Sequence, residues 1–373
     1  MRRIYALDMM RGYALVCIML NHMPIGVLRS AAISNYAVFD AAELFVLLSG
    51  FLVGLVWRKF EADAGMAAAQ RRFARRAFEV WRALLIGAVV MALLSWGLLE
   101  LGLKHTAIWT DYARQITTDP LDYLWRVAIL WTQPNLIDVL GLYVVLIASA
   151  PVLMPALTRQ PAAFAIISVG MWLFAVQLNA LLPTERANGG LLFNPFGWQM
   201  LFYSGAAMGY FRAPLMAVLR PWTGVLNLLA AFVLTAGVLF AMIGWLGPAG
   251  KPLMSAVLAV TGPIDKWSMD GLRFASVMAA TWAVAVPMAQ PLERLAATRG
   301  GRALALIGRG GLMTFVSCVL LSILGDAAQM QWRKDQPVKL AVDLGVVLTL
   351  WLVALAWDRW QAHRRHQSQP TAA

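Results

Sequence analysis

Residues 7–24 read LDMMRGYALVCIMLNHMP, and this run decides the fold. It is apolar enough for a membrane-spanning helix, yet it carries Asp8, Arg11 and His22. At about 100° per residue, Asp8 and Arg11 lie about 60° apart, and Asp8 and His22 about 40° apart the short way. Asp8, Arg11, Leu15, Ile18 and His22 therefore form one stripe, with about 16 Å of rise between Arg11 and His22. Ionisable groups are costly in lipid and turn toward the protein interior or a water-filled cavity. The stripe is expected to face inward, with Asp8 and Arg11 neutralising each other as an i,i+3 pair.

The whole chain has the same character. Of 373 residues, 60% are hydrophobic and 13% charged, where a soluble domain has about 25% charged. The predicted class is all-α, a polytopic membrane protein with about ten spans near residues 5–24, 38–57, 81–103, 136–157, 162–182, 196–211, 222–246, 272–290, 303–325 and 338–358. LDYLWRVAILW (121–131) is an extra short or interfacial helix. The 16 tryptophans suit membrane interfaces. The first apolar run exceeds a signal-peptide core and no small-residue cleavage site follows it.

The net charge of +12 would suggest nucleic acid in a soluble protein; here topology accounts for it. With a cytoplasmic N-terminus, one side collects 18 Lys/Arg, including Arg2, Arg3, seven in the 58–82 segment, Arg302, Arg359 and Arg364. The other side collects 11, and Arg11 and Arg309 fall within spans. The positive-inside bias thus places both termini in the cytoplasm, with an even helix count. A single transmembrane domain is expected over 1–358, followed by a basic, disordered cytoplasmic tail over 359–373. Cys17 and Cys318 sit in apolar runs without metal-type spacing, so no disulfide framework or zinc site is expected.

Three features carry chemistry. His22 lies near the far end of the first span, beside Asn21 and before Pro24. FDAAELFVLLSGFLVGLVW (39–57) places Asp40 and Glu43 one turn apart on the same membrane side as His22. Either carboxylate is a candidate to orient a histidine acting as general base. Ser49-Gly50 offers a small-residue face for helix packing. RRFARRAFEVWR (71–82) runs into the third span, and Arg75, Arg76 and Arg82 suit a phosphorylated ligand if turned inward.

These stretches, in this order, resemble the OpgC family, membrane proteins associated with succinylation of osmoregulated periplasmic glucans, within the wider acyltransferase-3 superfamily. QPNLIDVLGLYVVL (133–146), FNPFGWQMLFYSGAAMG (193–209), DKWSMDGLRF (265–274) and IGRGGLMTFVSCVLLS (307–322) extend the likeness over most of the chain. The Arg11-x10-His22 spacing is similar to the superfamily's first-helix motif. The third-span run lacks the Pro and Tyr that many members carry after the arginines.

The resemblance implies an O-acyltransferase of the bacterial inner membrane. An acyl group, succinyl by likeness, would move from cytoplasmic acyl-CoA, a co-substrate rather than a bound cofactor, to a hydroxyl of a periplasmic glucan. Arg75, Arg76 and Arg82, with Arg11, would receive the donor; His22 would activate the acceptor, oriented by Asp40 or Glu43; Asp8 would hold Arg11. Asn21, Asn135, Asp138, Asn194, Gln199, Lys266 and Arg273 are candidates for the acceptor or acyl group, with helix–helix hydrogen bonding as the competing role. Lys266 and Arg273, seven apart, could clamp an anionic acyl group. Membrane lipid is the remaining expected partner; nucleic acid and metal are not expected. The alternative function is a transporter or flippase of a sugar or lipid-linked intermediate, against which the lack of paired, related halves counts.

Overall fold

A computed structural model describes residues 5–105 and 108–367. Arg2 and Arg3 of the charge count lie outside the described residues, as do 368–373 of the expected tail. The described residues form helices α1 (Tyr5–Asn21), α2 (Ala41–Ala64), α3 (Met66–Glu100), α4 (Ile108–Thr118), α5 (Pro120–Ala128), α6 (Asp138–Arg159), α7 (Pro161–Leu173), α8 (Ala175–Ala180), α9 (Pro195–Tyr210), α10 (Arg212–Leu219), α11 (Thr223–Trp245), α12 (Lys251–Thr261), α13 (Gly271–Ala285), α14 (Ala289–Ala297), α15 (Arg299–Arg309), α16 (Leu312–Gln331) and α17 (Gln336–Gln367), with short 3₁₀ turns and no strand.

Among the described residues six helices are long and apolar enough to cross a membrane: Ala41–Ala64, Met66–Glu100, Asp138–Arg159, Arg212–Trp245, Leu312–Gln331 and Gln336–Arg364. The interrupted pair α13 and α14 is a candidate seventh. These account for the second, third, fourth, seventh, ninth and tenth expected spans. The other four coincide with shorter helices: α1 with 17 residues, α7 with 13, α9 with 16 and α13 with 15. At 1.5 Å per residue, each is shorter than the roughly 30 Å of a hydrocarbon core.

Several boundaries differ from the sequence reading for local reasons. The ninth span starts at Leu312 instead of 303 because Gly310-Gly311 separates α15 from α16, with Gly311 at φ +60°. The basic loop expected over 58–80 is almost wholly helical. Its Ala-, Gln- and Arg-rich sequence favours helix, and only Gly65, at φ +81°, breaks it. The expected disordered tail is helical as far as Gln367, with Trp357 and Trp360 stacked at 4.6 Å and the Arg364 guanidinium 4.6 Å from the Trp360 ring. Basic side chains also favour a helix C-terminus. The expected short helix at 121–131 is α5, capped by the Asp119 side chain accepting from the Asp122 amide.

The chain divides into two compact units, one of residues 1–32, 91–113 and 288–373, the other of 33–90 and 114–287. In the first, α1 packs closely on α15. A Cβ on Gly12 would collide with the Leu304 carbonyl oxygen, and one on Gly308 with that of Asp8. In the second, α2 and α9 run parallel and in near backbone contact. Side chains at Gly50 and Gly54 would strike the carbonyl oxygens of Phe202 and Ala206; at Gly205 and Gly209 they would strike those of Leu47 and Phe51. Gly50 thus does the packing expected of it. Close approach through small residues suits lipid, where helix association relies on van der Waals contact. Around this crossing, Phe39, Trp57, Phe73, Leu142, Trp198, Phe202 and Tyr203 form the core.

Candidate functional site

The first unit contains α1. No proline interrupts the helix before Pro24, which is exposed just beyond its end. Leu15 and Ile18 are buried and Asp8, Arg11 and His22 half-buried, as expected of an inward stripe. The Asp8 end lies at the level of Gly308, next to Arg309, which pairs with Asp358 at 3.0 Å. At the other end the His22 amide donates to the Ile18 and Met19 carbonyls, so His22 continues the last turn of α1. Met23 is fully buried, with its Sδ against Gly325 of α16. Within this unit, α1 thus runs from the α15–α16 junction to the end where α16 turns into α17, with Arg11 near the first and His22 at the second.

The second unit gathers the N-termini of α2, α9 and α13 at one end. Asp40 caps α2: its Oδ1 accepts from the Ala42 amide at 2.7 Å, while Glu43 Oε2 accepts from the Asp40 amide at 3.1 Å, a reciprocal capping box. The outer oxygen of Asp40 accepts from Lys266 Nζ at 2.5 Å. Glu43, fully buried, accepts from Arg273 Nε at 2.6 Å and pairs also with its Nη2. Asp270 caps α13 by accepting from the Arg273 amide, and Asn194 caps α9 by accepting from the amides of Phe196 and Gly197. Asn194 also joins this loop directly: its amide donates to the Trp267 carbonyl at 2.9 Å and its Nδ2 to Ser268 Oγ at 3.4 Å.

Lys266 is the most accessible charge of this group, with 30% of its side chain exposed. Its ammonium lies 5.6 Å from the Phe193 ring and 5.5 Å from the Trp267 ring, at cation–π range. Phe193 in turn stands edge-to-face with Trp198 and Trp267. Four charges, Asp40, Glu43, Lys266 and Arg273, are thus arranged as two ion pairs of no net charge. Buried ions are tolerated when paired and hydrogen-bonded in this way.

The structure therefore brings together Asp40, Glu43, Asn194, Lys266 and Arg273 of the expected site residues. Asp138 is the buried first residue of α6, and its Oδ1 accepts from the Val139 amide at 2.8 Å. Asn135 is half-buried in the segment before it, between Leu130 and Leu136, both at positive φ. Gln199 serves the competing role: its Nε2 donates to the Ser168 carbonyl at 2.8 Å and its Oε1 accepts from Ser168 Oγ at 2.7 Å, which ties α9 to α7. Asn21 is half-buried at the end of α1.

The arginines of α3 differ from expectation. Arg75 and Arg82 are exposed, because Phe73, Val80 and Leu84 define the buried face and residue 75 lies about 200° from Phe73 around the helix. Arg76 is half-buried and pairs with Glu79 at 2.9 Å. Near the same helix start, Arg58 donates to the Tyr210 carbonyl, Tyr210 Oη to Glu61, and Arg72 lies over the Phe60 ring.

Both α1 and the capped cluster fall within one family match. A family model described as OpgC protein matches residues 3–362. The chain belongs to the OpgC family. No curated protein and no solved structure matches it. Membership in the OpgC family spans both compact units and reaches into α17, so the apolar helices are those of an OpgC-family membrane protein. Sequence reasoning passed over Phe193, Trp267 and Ser268 as partners of the charged residues. Their signal was present in DKWSMDGLRF, where Asp265 and Asp270 flank Lys266 and Trp267.

Proposed function

We propose that the protein is a transmembrane O-acyltransferase of the bacterial inner membrane, moving an acyl group, succinyl by family likeness, from cytoplasmic acyl-CoA to a hydroxyl of an extracytoplasmic glucan. The observation that carries this reading is the helix α1 within the OpgC match, with Arg11 on its second turn and His22 just past its C-terminus. The Arg309 end of the first unit is the cytoplasmic one by the positive-inside bias. There Arg11, held by Asp8, receives the phosphorylated donor.

On the far face His22 takes the proton of the acceptor hydroxyl as its oxygen attacks the thioester carbonyl. The tetrahedral intermediate collapses by breaking the C–S bond, and the thiolate leaves with the proton from His22. Asp40 and Glu43 pair with Lys266 and Arg273. They hold the two cations at the aromatic-lined end of the second unit, where Lys266 is accessible to an anionic acyl group or to the glucan.

The test is acylation of exported glucan in membranes carrying His22→Ala or Arg11→Ala at wild-type level. The proposal predicts export of unacylated glucan. Loss of export with acylation intact would replace it with transport.

A further inference from the structure

The first unit holds a buried polar network that no catalytic step uses. Asp343 of α17 is fully buried in a span, as is Gln329 of α16. Asp343 Oδ2 accepts from the Leu28 amide at 2.8 Å, and its Oδ1 accepts from Gln329 Nε2 at 2.7 Å. The same Nε2 donates to the Lys339 carbonyl at 3.2 Å. Gln329 Oε1 is buried with no hydrogen-bond partner among the described residues. An acceptor buried without a partner is costly, because it gives up its bonds to water and regains none. The fold bears that cost while keeping the amide nitrogen on Asp343.

What the network grips is the turn after His22. Beyond α1 the chain is tied by Met23 N–H to the Leu20 carbonyl and by Gly26 N–H to the Met23 carbonyl. Met23 is buried against Gly325 and Leu28 hangs on Asp343. Gly26 passes so close that a Cβ there would lie 2.8 Å from Asp343 Oδ1. The five-residue stretch from His22 to Gly26 is therefore anchored on both sides to α16 and α17.

We infer that Asp343 and Gln329 are positioning residues for His22. They fix the turn that follows it and thereby set where the imidazole meets the acceptor hydroxyl. The inference rests on the reading of His22 as the general base. Geometry at that level matters, because a misplacement of about 1 Å can cost on the order of 10²-fold in rate. Asp343→Asn tests it with almost no change in shape. The new amide must turn its N–H either toward the Leu28 N–H or toward Gln329, whose side-chain amide must then flip and give up the Lys339 carbonyl, and either arrangement breaks one bond of the network.

The experiment measures succinyl transfer from succinyl-CoA to a β-glucan oligosaccharide by the full chain in detergent, per monodisperse protein, for Asp343→Asn, Gly26→Ala, Gln329→Leu and His22→Ala, with thermal unfolding alongside. The expected result is kcat lowered about tenfold or more in Asp343→Asn and Gly26→Ala, with the KM for succinyl-CoA unchanged. The double variant Asp343→Asn/Gly26→Ala should be no worse than Asp343→Asn alone. Wild-type kcat in a folded Asp343→Asn variant overturns the inference, as does a rise in succinyl-CoA KM that accounts for the loss. Should Asp343→Asn not fold, Gly26→Ala decides by the same criteria. An active His22→Ala variant defeats the reading of His22 itself. An inactive His22→Ala beside wild-type Asp343→Asn defeats only the positioning role.

Discussion

Replacing Arg273 by Met keeps most of the side-chain length and apolar stem but leaves Glu43 with its carboxylate fully buried and its main cation gone. The intact pair joins Arg273 Nε to Glu43 Oε1 at 2.6 Å, with the arginine side chain only 11% exposed. At an effective dielectric of about 20 and a charge separation near 4 Å, the attraction is about 4 kcal/mol. Breaking a buried pair from one side costs about 3–5 kcal/mol. Glu43→Gln should cost a similar amount, since it strands Arg273 while preserving the capping box, which accepts Gln at that position. The double variant Glu43→Gln/Arg273→Met buries no charge from this pair and should recover most of the loss, leaving a coupling energy of at least about 2 kcal/mol. Reversible unfolding in detergent, run on all four proteins, measures the cycle. Single variants within about 0.5 kcal/mol of wild type, or a double variant equal to the sum of the singles, would refute the argument that this pair holds α2 to α13.

Other consequences are as specific. Gly54→Ala places a methyl group against the Ala206 carbonyl and 2.8 Å from the Tyr210 amide, so it should destabilise by about 1–3 kcal/mol in the same unfolding assay. Gly97→Ala, on α3 with open space around it, should instead stabilise by about 0.5–1 kcal/mol. Lys266→Gln should reduce the preference for succinyl-CoA over acetyl-CoA by about 10- to 100-fold, the worth of a charged hydrogen bond, as read from paired kcat/KM values. Arg11→Ala should raise the KM for acyl-CoA more than it lowers kcat, which a donor titration at saturating glucan checks.

Much of the fold was legible because bilayer solvent imposes a simple rule. Runs of about twenty apolar residues marked six spans, and helical phase alone put Asp8, Arg11, Leu15, Ile18 and His22 on one face. The small pair Ser49-Gly50 marked a face for helix packing, which Gly50 presents to α9. What failed depended on breaks and long-range partners. Gly65 and Gly310-Gly311 punctuate helices where hydropathy alone runs on, so the basic loop became helix and the ninth span moved. Asp40-Ala41-Ala42-Glu43 has the spacing of a capping box, which the sequence reading passed over. Their partners lie 226 and 230 residues away, and no local pattern links such positions. Arg75 and Arg82 share a face by spacing, but which face is buried was set by Phe73, Val80 and Leu84.

The central claim is that an acyl group crosses the membrane along the helix that joins Arg11 to His22. Vesicles of one orientation, with β-glucan oligosaccharide sealed inside and radiolabelled succinyl-CoA added only to the cytoplasmic face, test it directly. The account predicts label on the enclosed glucan with the wild-type protein, and label reduced at least about 10²-fold with His22→Ala. Transfer that requires donor and glucan on the same side, or that persists undiminished in His22→Ala, would contradict it.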